Sequence, residues 1–408
     1  MALPEHQKLS RIFPGQPFGD GHDGNYTSTT KPTITYGSCS GTASSTVLNV
    51  TISSPNDGEI VLIHQSRGTG HGNWEFNQIV SGGTSPTLNM AWPLAYTYLD
   101  DGTSSPAYNQ AQVLTVKMYE TINVASGIWD ITTWRSKDAF NWGDPAFGGI
   151  GVYVARQSAI FKNAVRINGA PGTPNDTSFN FGRTGGYWGG FASNGDEGTS
   201  TNYGSKGEGY LTNAFKHQTT ATDSGGAGAR SQQNNGGGGG GHAAVGSTGS
   251  AGAPGGLTQG NSELSGGGSL HFGGGGGGGH TTVNSGDFTQ GGGGAGGGII
   301  MAITKNLTVD TGGLFQALGG AGGGTQSSKG GGGAAGGSIL VQCQNATIGT
   351  NRLNCYGGGG GSGGGNGSAG RIAIHHSGAV TGTSNPTYTD VIDGTLTEPA
   401  GAFIFNLV

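Results

Sequence analysis

Several of the ten histidines in this 408-residue chain border glycine runs or lie beside one another. His242 follows Gly241, His271 follows Leu270, His280 follows Gly279, and His375 precedes His376. Imidazoles could hold a metal ion if oxygen or sulfur ligands converged on them. Otherwise they cap or stack on the ends of the glycine segments; the scattered spacing favours this second reading, and no metal is expected. The carboxylates suggest little more chemistry. Glycan cleavage needs two carboxyl groups roughly 5 to 10 Å apart on rigid strands, yet acids are sparse after residue 210. Asp144, Asp196, Glu197 and Glu208 lie among turn residues, as solvated loop acids do. GDGHDGN (19–25) could offer Asp20 and Asp23 to calcium, but lacks a third acid at loop spacing, so a pair of turns is expected. No G-x-S-x-G elbow places a nucleophile, and Lys329, between Ser328 and Gly330, completes no phosphate loop. The expectation is a protein without catalytic residues, cofactor or metal.

Aromatic residues are the other candidates for chemistry. TGGYWGGFASNGDEG (184–198) and NYGSKGEGYL (202–211) set Tyr187, Trp188, Phe191, Tyr203 and Tyr210 among glycines. The segments between the later glycine runs carry Leu257, Phe272 and Phe288. Adaptable loops rich in Tyr, Trp, Ser and Gly on a rigid support have the composition of recognition surfaces. The same rings could instead pack as a lid on the glycine segments.

The elements that would position these residues are unusual. Glycine supplies 91 residues, gathered into runs such as 236–241 and 273–279. Each glycine loses roughly 0.5 to 1 kcal/mol more than alanine on ordering. The runs are therefore either disordered or built where nothing larger than hydrogen fits. An internal repeat favours the second. GGGGAGGGIIMAITKNLTVDTGGLFQALGG (from Gly291) and KGGGGAAGGSILVQCQNATIGTNRLNCYGG (from Lys329) share one plan, with Ile300 falling on Ile339, Met301 on Leu340 and Thr308 on Thr347, 39 residues later. A weaker copy occupies 148–170 and a truncated one 369–380. Strand pairs of this size share a core by stacking, as in solenoids. Glycine runs held in parallel could then form polyglycine-II-like helices that exchange main-chain hydrogen bonds sideways. A flexible Gly/Ser linker would not repeat in register with apolar strands.

The predicted class is all-β: an N-terminal β domain followed by β-solenoid-like strand repeats interleaved with packed polyglycine-II helices. The expected divisions are an arm at 1–50 ending in a first strand, a β domain at 51–145, and a first strand repeat with aromatic loops at 146–224. A glycine-rich polyglycine-II domain at 225–370 and a C-terminal β cap at 371–408 follow. Strands are predicted within 59–66, 73–80, 87–94, 112–119 and 121–131, which are rich in β-branched and aromatic residues. Cys39, Cys343 and Cys355 give an odd count; the last two either bridge or remain buried thiols. A net charge of −5, with charged residues at 10%, provides no basic field for nucleic acid or an anionic membrane. The opening MALPEHQKLSRIFPGQPFGDG has no apolar signal core, and no stretch reaches the ~18 apolar residues of a spanning helix. An unprocessed chain assembled inside a cell is expected, without membrane insertion.

The glycine runs and their short polar interruptions over residues 225–370 resemble the distal tail-fibre adhesins of T-even-like phages. GDGHDGNYT, GEIVLIHQSRGTGHGNWEFNQI and INVASGIW look like a module of glycine-rich virion and bacterial surface proteins. The resemblance implies a virion tail-fibre or tip adhesin, with the N-terminal region attached to other fibre or baseplate proteins. It also implies a homo-oligomer whose loops at 184–211, 243–272 and 280–290 bind a host cell-surface protein or glycan. Tyr187, Trp188, Phe191, Tyr203, Tyr210, Leu257, Phe272 and Phe288 are then the receptor-binding candidates. The alternative is a self-assembling subunit of a bacterial surface filament or sheath, located extracellularly.

Overall fold

Lys117 joins two kinds of β-structure. In the computed structural model, residues 3–52, 55–82, 86–101, 109–131, 147–172, 185–190, 193–194, 206–211, 223–229, 235–264, 270–281, 291–324 and 329–398 are described. Before Lys117, six antiparallel strands close into a barrel in the order Tyr36–Ser40, Val47–Val50, Thr87–Met90, Trp74–Ser81, Ile60–Arg67 and Gln110–Val116. After it, Met118–Val124 joins a parallel sheet. The segment expected as one strand at 112–119 therefore serves two sheets.

That parallel sheet runs Asn25–Ser28, Met118–Val124, Ile150–Phe161, Ile299–Val309, Ser338–Thr347, Arg371–His376 and Thr389–Ile392, with Val380–Thr381 also paired to Ser338–Thr347. Ile300 pairs with Ile339, Met301 with Leu340 and Thr308 with Thr347, the same pairs that the 39-residue offset aligns. The outer copies stack on these two: Ile150 pairs with Ile299 and Ile339 with Ile372. A second parallel sheet, Trp129–Asp130, Ala164–Arg166, Leu314–Gln316, Leu353–Asn354 and Ser384–Asn385, follows the first, strand for strand. Asn345 donates to Asn306 Oδ1 at 3.1 Å, and Asn306 donates to the Gln157 carbonyl at 3.2 Å, so one amide ladder ties three layers where the strands shift register.

The apolar runs are continuous because both faces of the parallel sheet are covered. Ile300, Ala302, Ile339 and Val341 pack with Phe161, Phe315 and Leu353 towards the second sheet. Met301, Ile303 and Leu340 join Ile60, Leu62, Trp74 and Phe76 from the outside of the barrel. Inside the barrel lie Val61, Ile63, Leu88 and Val113, which explains why all of Ile60–Arg67 is buried.

The fold expectation needs correction on its finer points, although the all-β class fits. The only helical elements among the described residues are three-residue 3-10 turns at Glu5–Gln7, Leu9–Arg11 and Ser250–Gly252. The described glycine segments have no helical assignment, so the predicted polyglycine-II helices are not what the structure shows. Nor do the strand repeats form a separate solenoid domain: they are inner strands of a sheet running from residue 25 to residue 392, packed against a closed barrel. The physical reason is the continuity of apolar strand pairing across the expected divisions.

The glycine segments are irregular extended stretches joined by lateral backbone bonds. Within 236–241, Gly237 donates to Gly330, Gly238 to Ala227, Gly239 to Ser247, Gly240 to Gly333 and Gly241 to Ser224. The same run accepts from Gly365, Gly277, Gly256, Ser368 and Gly274. Its main-chain groups are thus satisfied by segments on all sides. A Cβ on Gly238 would collide with the Pro254 carbonyl oxygen, and one on Gly277 with that of Ala227. In the N-terminal segment, Leu3, Leu9, Ile12 and Phe18 are buried in the core shared by the barrel and the parallel sheet, and residues 36–50 contribute two barrel strands.

Candidate functional site: an exposed edge of the glycine layer

Glycine at every third position makes 243–252 an edge segment. Gly246 and Gly249 face inward, where a Cβ would strike the carbonyls of Gly239 and Gly236. Beside them, Val245, Ser247 and Thr248 are exposed, Val245 to 57%. The Gly239 amide donates to Ser247 at 2.9 Å and the Ser247 amide to Asn366 at 2.8 Å, fastening the edge to the layer. The returning segment lies alongside, with the Gly246 amide donating to Gly256 at 2.9 Å. It exposes Leu257 to 40%, together with Thr258, Asn261 and Ser262.

The turn at 257–264 is held from the parallel sheet. Arg371 donates through Nε to the Gln259 carbonyl at 3.2 Å and through Nη2 to that of Gly260 at 3.3 Å. His375 Nε2 lies 2.7 Å from the Glu263 carbonyl. Burial lowers the Arg371 pKa from its ordinary value. The edge therefore presents hydroxyls, an amide and two aliphatic side chains on a backbone fixed from beneath. Such a surface can contact a partner by hydrogen bonds and apolar area.

The predicted aromatic residues lie mostly elsewhere. Tyr187 and Phe272 are fully buried, with ring centroids 5.5 Å apart, and Trp188 is 9% exposed in the same core. They pack against the barrel because glycine segments give rings a floor free of side chains. Tyr210 is half-buried and stacks on His71 at 4.0 Å. Of the eight candidates, Leu257 is on the exposed edge. Phe191, Tyr203 and Phe288 lie outside the described residues, as do Asp144, Asp196 and Glu197.

Glu208, expected as a solvated turn acid, is instead buried at 1% exposure and paired with Arg67, also buried. Its other carboxylate oxygen accepts the Trp188 amide at 2.8 Å. Lys206 and Asp223 form a second buried pair. The first pair joins barrel and glycine layer, and the second joins two segments of that layer; the alternation of Lys and Glu at 206 and 208 was their only sequence signal. His242 donates through Nδ1 to the Gly336 carbonyl at 2.7 Å. Asp20 pairs with His22, and Asp23 accepts the Met118 amide, as turn residues do. The three cysteines are buried and unbridged. Among the described residues, no group of three or more His, Cys, Asp or Glu is placed to hold a metal ion. No described helix is long and apolar enough to cross a membrane.

No family model and no curated protein matches the chain. Among solved structures, it has a likeness to the tailspike of Acinetobacter baumannii bacteriophage AP22 in complex with A. baumannii capsular saccharide, at 10% identity and a TM-score of 0.18. The match covers 88% of this chain and 57% of that one. At that TM-score the likeness carries no argument about fold or function.

Proposed function

We propose that this chain is a non-enzymatic binding protein of a bacteriophage virion, a tail-fibre or tip adhesin that contacts a host-surface protein or glycan. The contact surface is the edge around Val245, Thr248, Leu257 and Asn261. The observation that carries the reading is the contrast within the glycine layer: its interior is backbone bonded to backbone, while this edge displays side chains. Its sequence resemblance to glycine-rich virion adhesins supports the same reading. Attachment to other virion proteins and homo-oligomerisation belong to it, and binding through several copies would strengthen weak individual contacts.

The test replaces Val245, Thr248, Leu257 and Asn261 with aspartate in pairs and measures binding of the purified protein to host cells. Two such pairs are expected to reduce binding at least tenfold with the thermal midpoint unchanged. Wild-type binding by both folded double variants would sink the reading. A second reading, a self-assembling surface filament, has one observation in its favour: the parallel sheet ends in Asn25–Ser28 and Thr389–Ile392, each pairing with one named strand, and Ile392 is 78% exposed. It predicts ordered polymers from the purified chain alone.

A further inference from the structure

We propose that Lys206 and Asp223 condense into an intramolecular isopeptide bond. Both side chains are fully buried, and Lys206 Nζ is in direct contact with Asp223 Oδ1. The Gly207 amide donates to Gly226 at 2.9 Å and ties the two backbones together, while the Glu208 amide donates to Trp188 at 2.8 Å and the Gly226 amide to Gly275 at 2.9 Å, fixing each to a further segment. Asp223 is oriented by the amides of Leu211 and Gly225, each at 3.1 Å. The lysine nitrogen is thus fixed against one carboxyl group, with backbone contacts on either side.

Burial supplies the driving force. An ion pair removed from water loses hydration that its mutual attraction does not fully restore. Proton transfer across the contact converts the ammonium and carboxylate into an amine and a carboxylic acid. The amine lone pair attacks Cγ of Asp223, the bond from Cγ to the hydroxyl oxygen breaks, and water leaves with the second proton shed by nitrogen. Atoms and charge balance: one ammonium and one carboxylate yield one amide and one water, with no oxidant. Holding the two groups together replaces a bimolecular encounter with a unimolecular step. The product is a neutral link between segments 206–211 and 223–229, in a chain whose three cysteines form no bridge.

The experiment is intact-mass spectrometry of the denatured full-length chain, followed by tryptic mapping. The wild-type chain is expected to be lighter than its sequence by one water. Trypsin should fail to cut at Lys206 and release a branched peptide joining residues 184–216 to 217–230. Lys206→Ala should have its full sequence mass. Asp223→Asn should lose ammonia and reach the wild-type mass, because the same amide results from either starting group. A wild-type chain of full mass, cut normally at Lys206, overturns the proposal whether or not either variant folds. Loss of water that persists in Lys206→Ala overturns it too.

Discussion

His64 links three parts of the molecule through one imidazole. Nε2 lies 2.8 Å from the Leu270 carbonyl and Nδ1 2.9 Å from Ser66 Oγ, which in turn accepts from Gln112 at 2.7 Å. A carbonyl can only accept, so Nε2 carries the proton and Nδ1 accepts from the serine hydroxyl. The neutral ring satisfies every partner; a second proton would force the serine hydroxyl to give up its bond to Nδ1 and turn its own proton away. Burial pushes the pKa of His64 down to about 4, and that of His242 to about 4. Burial also lowers His71 and His375. The unfolded chain takes up protons near pH 6.5, so these groups stabilise the fold above that pH and lose their contribution as pH falls towards 4. Glu75 acts in the opposite direction, since burial raises its pKa to about 7. Two strongly shifted histidines against one carboxyl leave a net loss of about 2 kcal/mol between pH 7.5 and 4.5. Urea midpoints at the two pH values should show the acidic fold to be weaker; an equal or higher midpoint at pH 4.5 would exclude this account of the histidines.

Among the elements, Ser338–Thr347 explains why the repeat was legible and the barrel was not. Its apolar run recurs 39 residues after Ile299–Val309, and parallel neighbours in register need no further information to be paired. Strand existence in the barrel could be read from β-branched residues, but antiparallel closure depends on distant pairings such as Tyr36 with Leu114, which leave no periodic trace. Leu3, Leu9, Ile12 and Phe18 were illegible for a related reason: they are spaced widely in a polar segment and acquire meaning only against the barrel surface. Because successive residues of Ser338–Thr347 fill different cores, Ile339→Ala and Leu340→Ala should each cost about 2 to 5 kcal/mol in equilibrium unfolding. Val80→Ala, on a barrel strand but 57% exposed, should stay within about 0.5 kcal/mol. A small loss at either Ile339 or Leu340 would mean that one face of the sheet is not packed as described.

In the whole molecule, the barrel and paired sheets hold a glycine layer whose edge is the candidate contact surface. The sequence revealed that the runs exclude side chains, because linkers do not keep a register with apolar strands. It did not reveal their final form, nor that Tyr187, Trp188 and Phe272 would be drawn beneath the surface, because a ring in a glycine-rich segment has the same composition whether it faces solvent or a flat backbone floor. The edge itself is set by Gly246 and Gly249, whose inward positions leave Ser247 and Thr248 facing outward between them. All of this depends on the glycine segments being fixed by their lateral bonds. Amide hydrogen exchange resolved to residues 236–241 and 273–279 tests that dependence most directly. Protection comparable with that of Ile299–Val309 is predicted, since almost every one of these amides donates to a neighbouring carbonyl. Exchange at the rate of an unstructured glycine chain would contradict the account.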